Sequence, residues 1–493
     1  MLLSIIEKRP INYTHLKNST VLLVLSLVTF FIRFPFFFRD YIDRDESTFI
    51  LLGQSWVDGY LPYMELWDLK PPLTFAFFAA IISLFGKSFL AIRFFGALLV
   101  VITAFFTYKI SLKLTTKKVS FWASFSCILL LSLFGSLQGV MSEHICMAFF
   151  VPGLYLLISK KGAYWFFIAG LLMGITVMVK LNMAYPILLI ELYLMYGFLS
   201  KKNNYSIWKI LLFGTGIVAI LLLTILPYYT LGEAMTWWKS VILAPLEYTE
   251  ARRFSVFRLA PTFLLVGVFL FFSWKKDWIA FKNHTSILLV IAIIGVLLSF
   301  FKGGRINGHY LIQLHPMLLI LFAVAVQALT IKLKPKFPKA LLYLFLLIPM
   351  ESYLEYVNIV QNKFNKGTFF NGEGFTVPEY ILNHQLEKKN ILFLGYHIGY
   401  WNLGALPPTK AATHPSNISR DELFPFFDNE RTKSIEELKY IMEDLRPKTI
   451  VVRQGRRVFD KKEKELNTYI DAYLLKHYRV HALVENAEIL QRL

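Results

Sequence analysis

The densest run of groups able to do chemistry is IDRDESTF, residues 42–49, directly after the first long apolar stretch. A helix starting here puts Asp45 or Glu46 at the positive end of the helix dipole. A carboxylate so placed can act as general base to a hydroxyl, or can ligate a divalent cation with its neighbours. Isolated acidic pairs at a membrane surface are often only solvated. This one heads an amphipathic stretch, TFILLGQSWVDGYLPY, suited to lying in the interface. Further polar groups stand in ELWDLKPPL at 65–73, which holds Lys70, and in QGVMSEH at 138–144, which holds Glu143 and His144. Lys180 closes an apolar run, and KGGRINGHY at 302–310 brings Arg305, His309 and Tyr310. Asp43, Asp45, Glu46 and Glu143 are the carboxylates that could gather a divalent metal ion.

Each candidate also has a structural reading. A lysine at the end of a span commonly snorkels to the interface, as Lys180 could. Arg93 lies inside a span, where charge is costly, and reads as an anchor for the outer-loop helices. Glu191 reads as an interhelical hydrogen-bonding group and His315 as a packed polar side chain.

The elements that must position these groups are set by composition. Of 493 residues 56% are apolar and only 17% charged, against about 25% charged in a soluble globular chain. The predicted class is a polytopic α-helical membrane protein. Two cysteines, Cys127 and Cys146, exclude a disulfide framework and a Cys-rich metal site. The net charge of +19 bears on membrane sidedness rather than on nucleic acid. Apolar runs near 19–38, 88–108, 119–137, 144–159, 163–181, 183–200, 207–230, 258–274, 285–301, 310–330 and 338–355 predict about eleven spans. Segment 71–86 reaches about 24 Å as a helix, short of a hydrocarbon core of about 30 Å.

If that segment does not cross, alternate loops collect Lys8, Arg9 and Lys17; Lys109, Lys113, Lys117 and Lys118; Lys160 and Lys161; Lys201, Lys202 and Lys209; Lys275, Lys276 and Lys282; and Lys332, Lys334, Lys336 and Lys339. Positive charge marks the cytoplasmic side. The expected topology has segment 71–86 interfacial or re-entrant, the N-terminus cytoplasmic and the C-terminus outside. The candidate residues then share the outer face of the plasma membrane. The expected domains are a membrane domain at 1–355, with 39–87 as its first outer loop, and a soluble α/β domain at 356–493. Strands are expected at 391–396, 449–453 and 479–485, and helices at 433–445 and 461–476.

The acidic pair after the first span, the KPPL box opening a short apolar helix, and Phe85, Gly86, Ser88, Ala91, Ile92 and Arg93 together resemble the membrane glycosyltransferases of the GT-C fold. The likeness is to the branch of protein O-mannosyltransferases and aminoarabinose transferases. Glu143, the Gly170, Gly174, Lys180 pattern and HYLIQLHP at 309–316 extend it. The resemblance implies a polyprenyl-phosphate sugar as donor partner and a lipid, glycan or protein acceptor. It implies Asp45 as catalytic acidic residue with Glu46 beside it, and Glu143 as a second acid. Lys70, Lys180, Arg305 and His309 become phosphate ligands, with Tyr310 a further donor. A divalent metal is the one cofactor it leaves open. Two positions depart from the pattern: Thr48 stands where some relatives have Arg, and Glu143 where others have Asp. The competing function is a transporter or flippase of lipid-linked sugars. Transporters place charge at the midplane, often within repeats, whereas this chain gathers polar residues in outer loops and shows no repeat.

Overall fold

The computed structural model describes residues 17–40, 42–201, 206–251, 255–333 and 340–493. Among them, eight helices are long and apolar enough to cross a membrane. These are α1 (Asn18–Arg33, prolonged to Phe38 by a 3-10 turn), α4 (Phe89–Ser111), α6 (Ser142–Ser159), α8 (Ala184–Leu199, preceded by a turn from Leu181), α9 (Ile207–Thr230), α10 (Val256–Lys275), α11 (His284–Gly303) and α12 (His315–Leu333). Three shorter helices complete the bundle: α3 (Pro72–Phe85), α5 (Lys117–Ser132) and α7 (Ala163–Val179). The expected span at 338–355 is instead two helices, Ala340–Leu347 and Met350–Lys366. The charges at Lys8, Arg9, Lys202, Lys334, Lys336 and Lys339 lie outside the described residues.

Helix starts follow local chemistry. The Asp43 side chain accepts the Asp45 N–H at 2.9 Å and caps α2 (Arg44–Val57). Pro71 and Pro72 open α3, where the missing N–H costs nothing. Gly86, at φ +66°, ends it, and Ser88 caps α4 through the Ala91 N–H. Helices α2 and α3 pack face to face, and a Cβ at Gly53 would lie 2.7 Å from that of Phe78. The Gly170–Gly174 pattern is explained by packing: a Cβ on Gly170 would sit 2.1 Å from the Phe213 carbonyl oxygen, on the glycine-bearing face of α9 that carries Gly216. Small residues let membrane helices approach backbone to backbone.

Beyond the bundle, β1 (Leu392–Phe393), β2 (Thr449–Arg453), β3 (Tyr478–Val484) and β4 (Ala487–Arg492) form one sheet in the order β1-β2-β4-β3. The β1–β2 pair is parallel and the other pairs are antiparallel. Strand β4 is an addition to the three expected strands; it returns from β3 through Glu485 at φ +54°. Helix Met350–Lys366 runs through residue 356, where the composition changes, and ties the two parts together. Its Ser352 hydroxyl donates to the Ile32 carbonyl at 2.8 Å. A parallel bridge between Arg39 and Asn371 joins the chain after α1 to the sheet-bearing part.

Candidate active site

The first turn of α2 presents two adjacent carboxylates to opposite surroundings. Asp45 Oδ2 lies 3.3 Å from Lys70 Nζ, which the chain delivers just before the Pro71–Pro72 start of α3. The Tyr63 hydroxyl fixes that delivery by donating to the Lys70 carbonyl at 2.6 Å. Glu46 points away, into the bundle. Its Oε2 accepts from Arg93 at 2.7 Å and its Oε1 accepts the Val140 N–H at 2.8 Å. Arg93 also donates to the carbonyl of Gln138 and reaches those of Arg39 and Asp40. It stitches the loop around residue 40 to the chain ahead of α6, while Arg33 holds the same chain through four carbonyls, those of Leu131, Leu137, Gln138 and Gly139.

The remaining candidates converge beside Lys70. Glu143, on the first turn of α6, accepts from Lys180 Nζ at 2.5 Å, and His309 Nε2 lies 3.8 Å from the same oxygen. The Lys180 ammonium also sits 4.4 Å from the centre of the Tyr310 ring. Lys70, Lys180, Arg305 and Tyr310 line one cavity of about 150 Å³ whose other walls include Leu69, Leu181, Pro245 and Phe300. The lining thus combines three cationic side chains with apolar walls. Arg305 stacks on Tyr248, 4.7 Å from the ring centre, and donates to its hydroxyl.

The electrostatics of the pair follow from these contacts. Burial alone would raise the Asp45 pKa, but Lys70 and then His414 outweigh it and hold the carboxyl well below its usual range. Burial likewise opposes the Lys70 ammonium, yet Asp45 and then Asp68 push its pKa above the ordinary lysine value. Asp43 is pushed up to about 6 by burial and by the Asp45 carboxylate. The four carboxylates named for a metal do not gather: Asp43 caps the helix, Asp45 faces Lys70, Glu46 faces Arg93 and Glu143 faces Lys180. Among the described residues no three His, Cys, Asp or Glu side chains cluster as metal ligands.

Residues 69–229 match a family model described as dolichyl-phosphate-mannose-protein mannosyltransferase. In structure the chain is similar to ArnT from Cupriavidus metallidurans in the apo state. The TM-score is 0.59 at 14% identity, covering 96% of this chain and 97% of that one. The same protein bound to undecaprenyl phosphate gives 0.58 at 13% identity over the same shares. This chain has the GT-C fold. No curated protein matches its sequence.

Within this GT-C frame, the residues that sequence reasoning missed come mostly from the tail. His414 Nε2 lies 3.4 Å from Asp45 Oδ1. His397 Nε2 lies 3.1 Å from the Thr48 hydroxyl and 3.0 Å from the Arg44 carbonyl, and Arg44 donates to the Ser416 hydroxyl at 2.9 Å. Arg420 stacks on Tyr248, 4.9 Å from its ring centre. Thr48 is thus fully buried against the tail and does not line that cavity. Nothing local marks ATHPSN as a site: its contacts to α2 span some 370 positions of chain, as from Arg44 to Ser416.

Proposed function

We propose that this chain is an inverting glycosyltransferase that moves a sugar from a polyprenyl-phosphate donor to an acceptor hydroxyl or phosphate on the outer face of the plasma membrane. The family match and the GT-C fold support a transferase. That ArnT is described bound to undecaprenyl phosphate supports a polyprenyl carrier. The observation that carries the reading is the juxtaposition of an ionised carboxylate, Asp45, with a cation-lined, apolar-walled cavity reached through Lys70.

In this reading Asp45 accepts the proton of the acceptor hydroxyl as its oxygen attacks the anomeric carbon. The bond from that carbon to the phosphate oxygen breaks on the opposite face, and polyprenyl phosphate leaves. Lys70, Lys180, Arg305 and the Tyr310 hydroxyl face the developing phosphate charge, and fixed donors in a water-poor site are effective there. His309 bears on the same centre through Glu143, which orients Lys180. The apolar walls take the first isoprene units, and membrane lipid surrounds the rest.

The test is to incubate purified protein with polyprenyl-phosphate sugars and measure released polyprenyl phosphate, comparing wild type with Asp45→Asn. The variant should lose at least about a hundredfold in kcat. Turnover that survives the substitution would exclude Asp45 as the base.

A further inference from the structure

We propose that His414, supplied by the sheet-bearing C-terminal part, is a positioning residue for the Asp45 carboxylate, so that the reaction centre is completed by a domain outside the membrane bundle. The proposal rests on Asp45 being the base. The geometry fixes the role of the ring. His414 Nδ1 accepts the Ser416 N–H at 3.2 Å, where it caps the turn Pro415–Ser419. That places the proton of the neutral ring on Nε2, which faces Asp45 Oδ1 at 3.4 Å. The side chain is 7% exposed, so water does not compete for that proton. Lys70 takes the other oxygen, Oδ2, at 3.3 Å. Held at both oxygens, the carboxylate is fixed in plane, and each oxygen keeps a lone pair for an incoming hydroxyl.

Three further contacts show that the tail grips the first turn of α2 rather than touching one side chain by accident. His397 engages Thr48 and the Arg44 carbonyl, and Ser416 receives the Arg44 guanidinium. The charged and titratable groups facing His414 are Asp45 and Asp68 from the first outer loop, and Arg420 and His397 from the tail. Burial holds the ring below the usual histidine pKa against its bond to Asp45, consistent with a neutral donor near pH 7.

The experiment measures polyprenyl phosphate release by the full-length purified protein with His414→Phe, His414→Gln, His414→Asn and Asp45→Asn. Phe keeps a flat ring without the donor; Gln places an amide N–H where Nε2 stands; Asn carries the same amide one methylene short. The expected result is a kcat about tenfold lower for H414F and H414N, with donor KM within about threefold of wild type. H414Q should recover to within about threefold, and the acid limb of kcat/KM should move to higher pH in H414F, because Asp45 has lost a donor. Wild-type kcat and an unmoved acid limb in H414F overturn the proposal. Where H414F does not fold, equal activity of H414Q and H414N overturns it instead. An active Asp45→Asn protein refutes the general-base reading itself, a result distinct from either of these.

Discussion

Glu46 is the sharpest test of how α2 divides its labour, because sequence alone set it beside Asp45 as a catalytic group. In the structure its side chain is 2% exposed and pairs with Arg93, itself 1% exposed, at 2.7 Å. Removing one member of a buried ion pair leaves the other uncompensated and costs about 3–5 kcal/mol. Glu46→Gln falls at the low end: the amide oxygen still accepts the Val140 N–H, and Arg93 keeps the Gln138 carbonyl at 3.2 Å. The expected loss is therefore about 3 kcal/mol, about two orders of magnitude in the folding equilibrium. In a chain this long that lowers Tm by roughly 5 °C. Tryptophan fluorescence of the detergent-purified protein during heating reads the shift, and polyprenyl phosphate release well below the midpoint reads the chemistry. The folded variant should keep kcat within about threefold of wild type. A hundredfold fall in kcat with an unchanged Tm would refute the reasoning and put Glu46 back at the reacting centre.

Two further outcomes follow from the same contacts. Lys70→Met removes the largest influence that lowers the Asp45 pKa. If Asp45 is the base, wild-type activity should persist into acid below the ordinary carboxylate range, whereas the variant's acid limb should move upward and its kcat drop by about a hundredfold; a pH–rate profile checks both. Gly170→Leu should abolish a folded, monodisperse preparation, since even a Cβ would lie 2.1 Å from the Phe213 carbonyl oxygen, and size-exclusion chromatography of the solubilised protein reads this directly.

Much of the architecture was legible because the bilayer imposes a simple requirement: long apolar runs became helices at nearly the places their lengths dictate, and the short segment 71–86 became the 14-residue helix Pro72–Phe85. What failed was continuity. The run at 338–355 reads as one span by hydropathy, yet Ile348 and Pro349 divide it, since proline cannot continue a helix hydrogen-bond ladder. In the tail, β4 was missed because AEILQR lacks the β-branched density that marked TIVVR. Its strand character comes from pairing with β2 and β3, a tertiary cause that no local window contains.

The site divides along the same line. Asp45, Lys70, Glu143 and Lys180 were visible because charge near an apolar run demands an explanation wherever it occurs. The direction each one faces was not visible. Neighbours on a helix are about 100° apart, so Asp45 and Glu46 had to part company: one meets Lys70 at the cavity, and the other meets Arg93 in the packing beneath. Histidine in a polar tail carries no comparable signal, because water would solvate it equally well. His414 and His397 acquire their roles only when the C-terminal part closes over the first turn of α2. Thr48 then becomes intelligible. An arginine there could not occupy the fully buried space against His397 without displacing the tail from that turn. A Thr48→Arg protein should therefore lose the grip of the tail on α2, with the His414–Asp45 contact broken and kcat reduced to about the level of H414F.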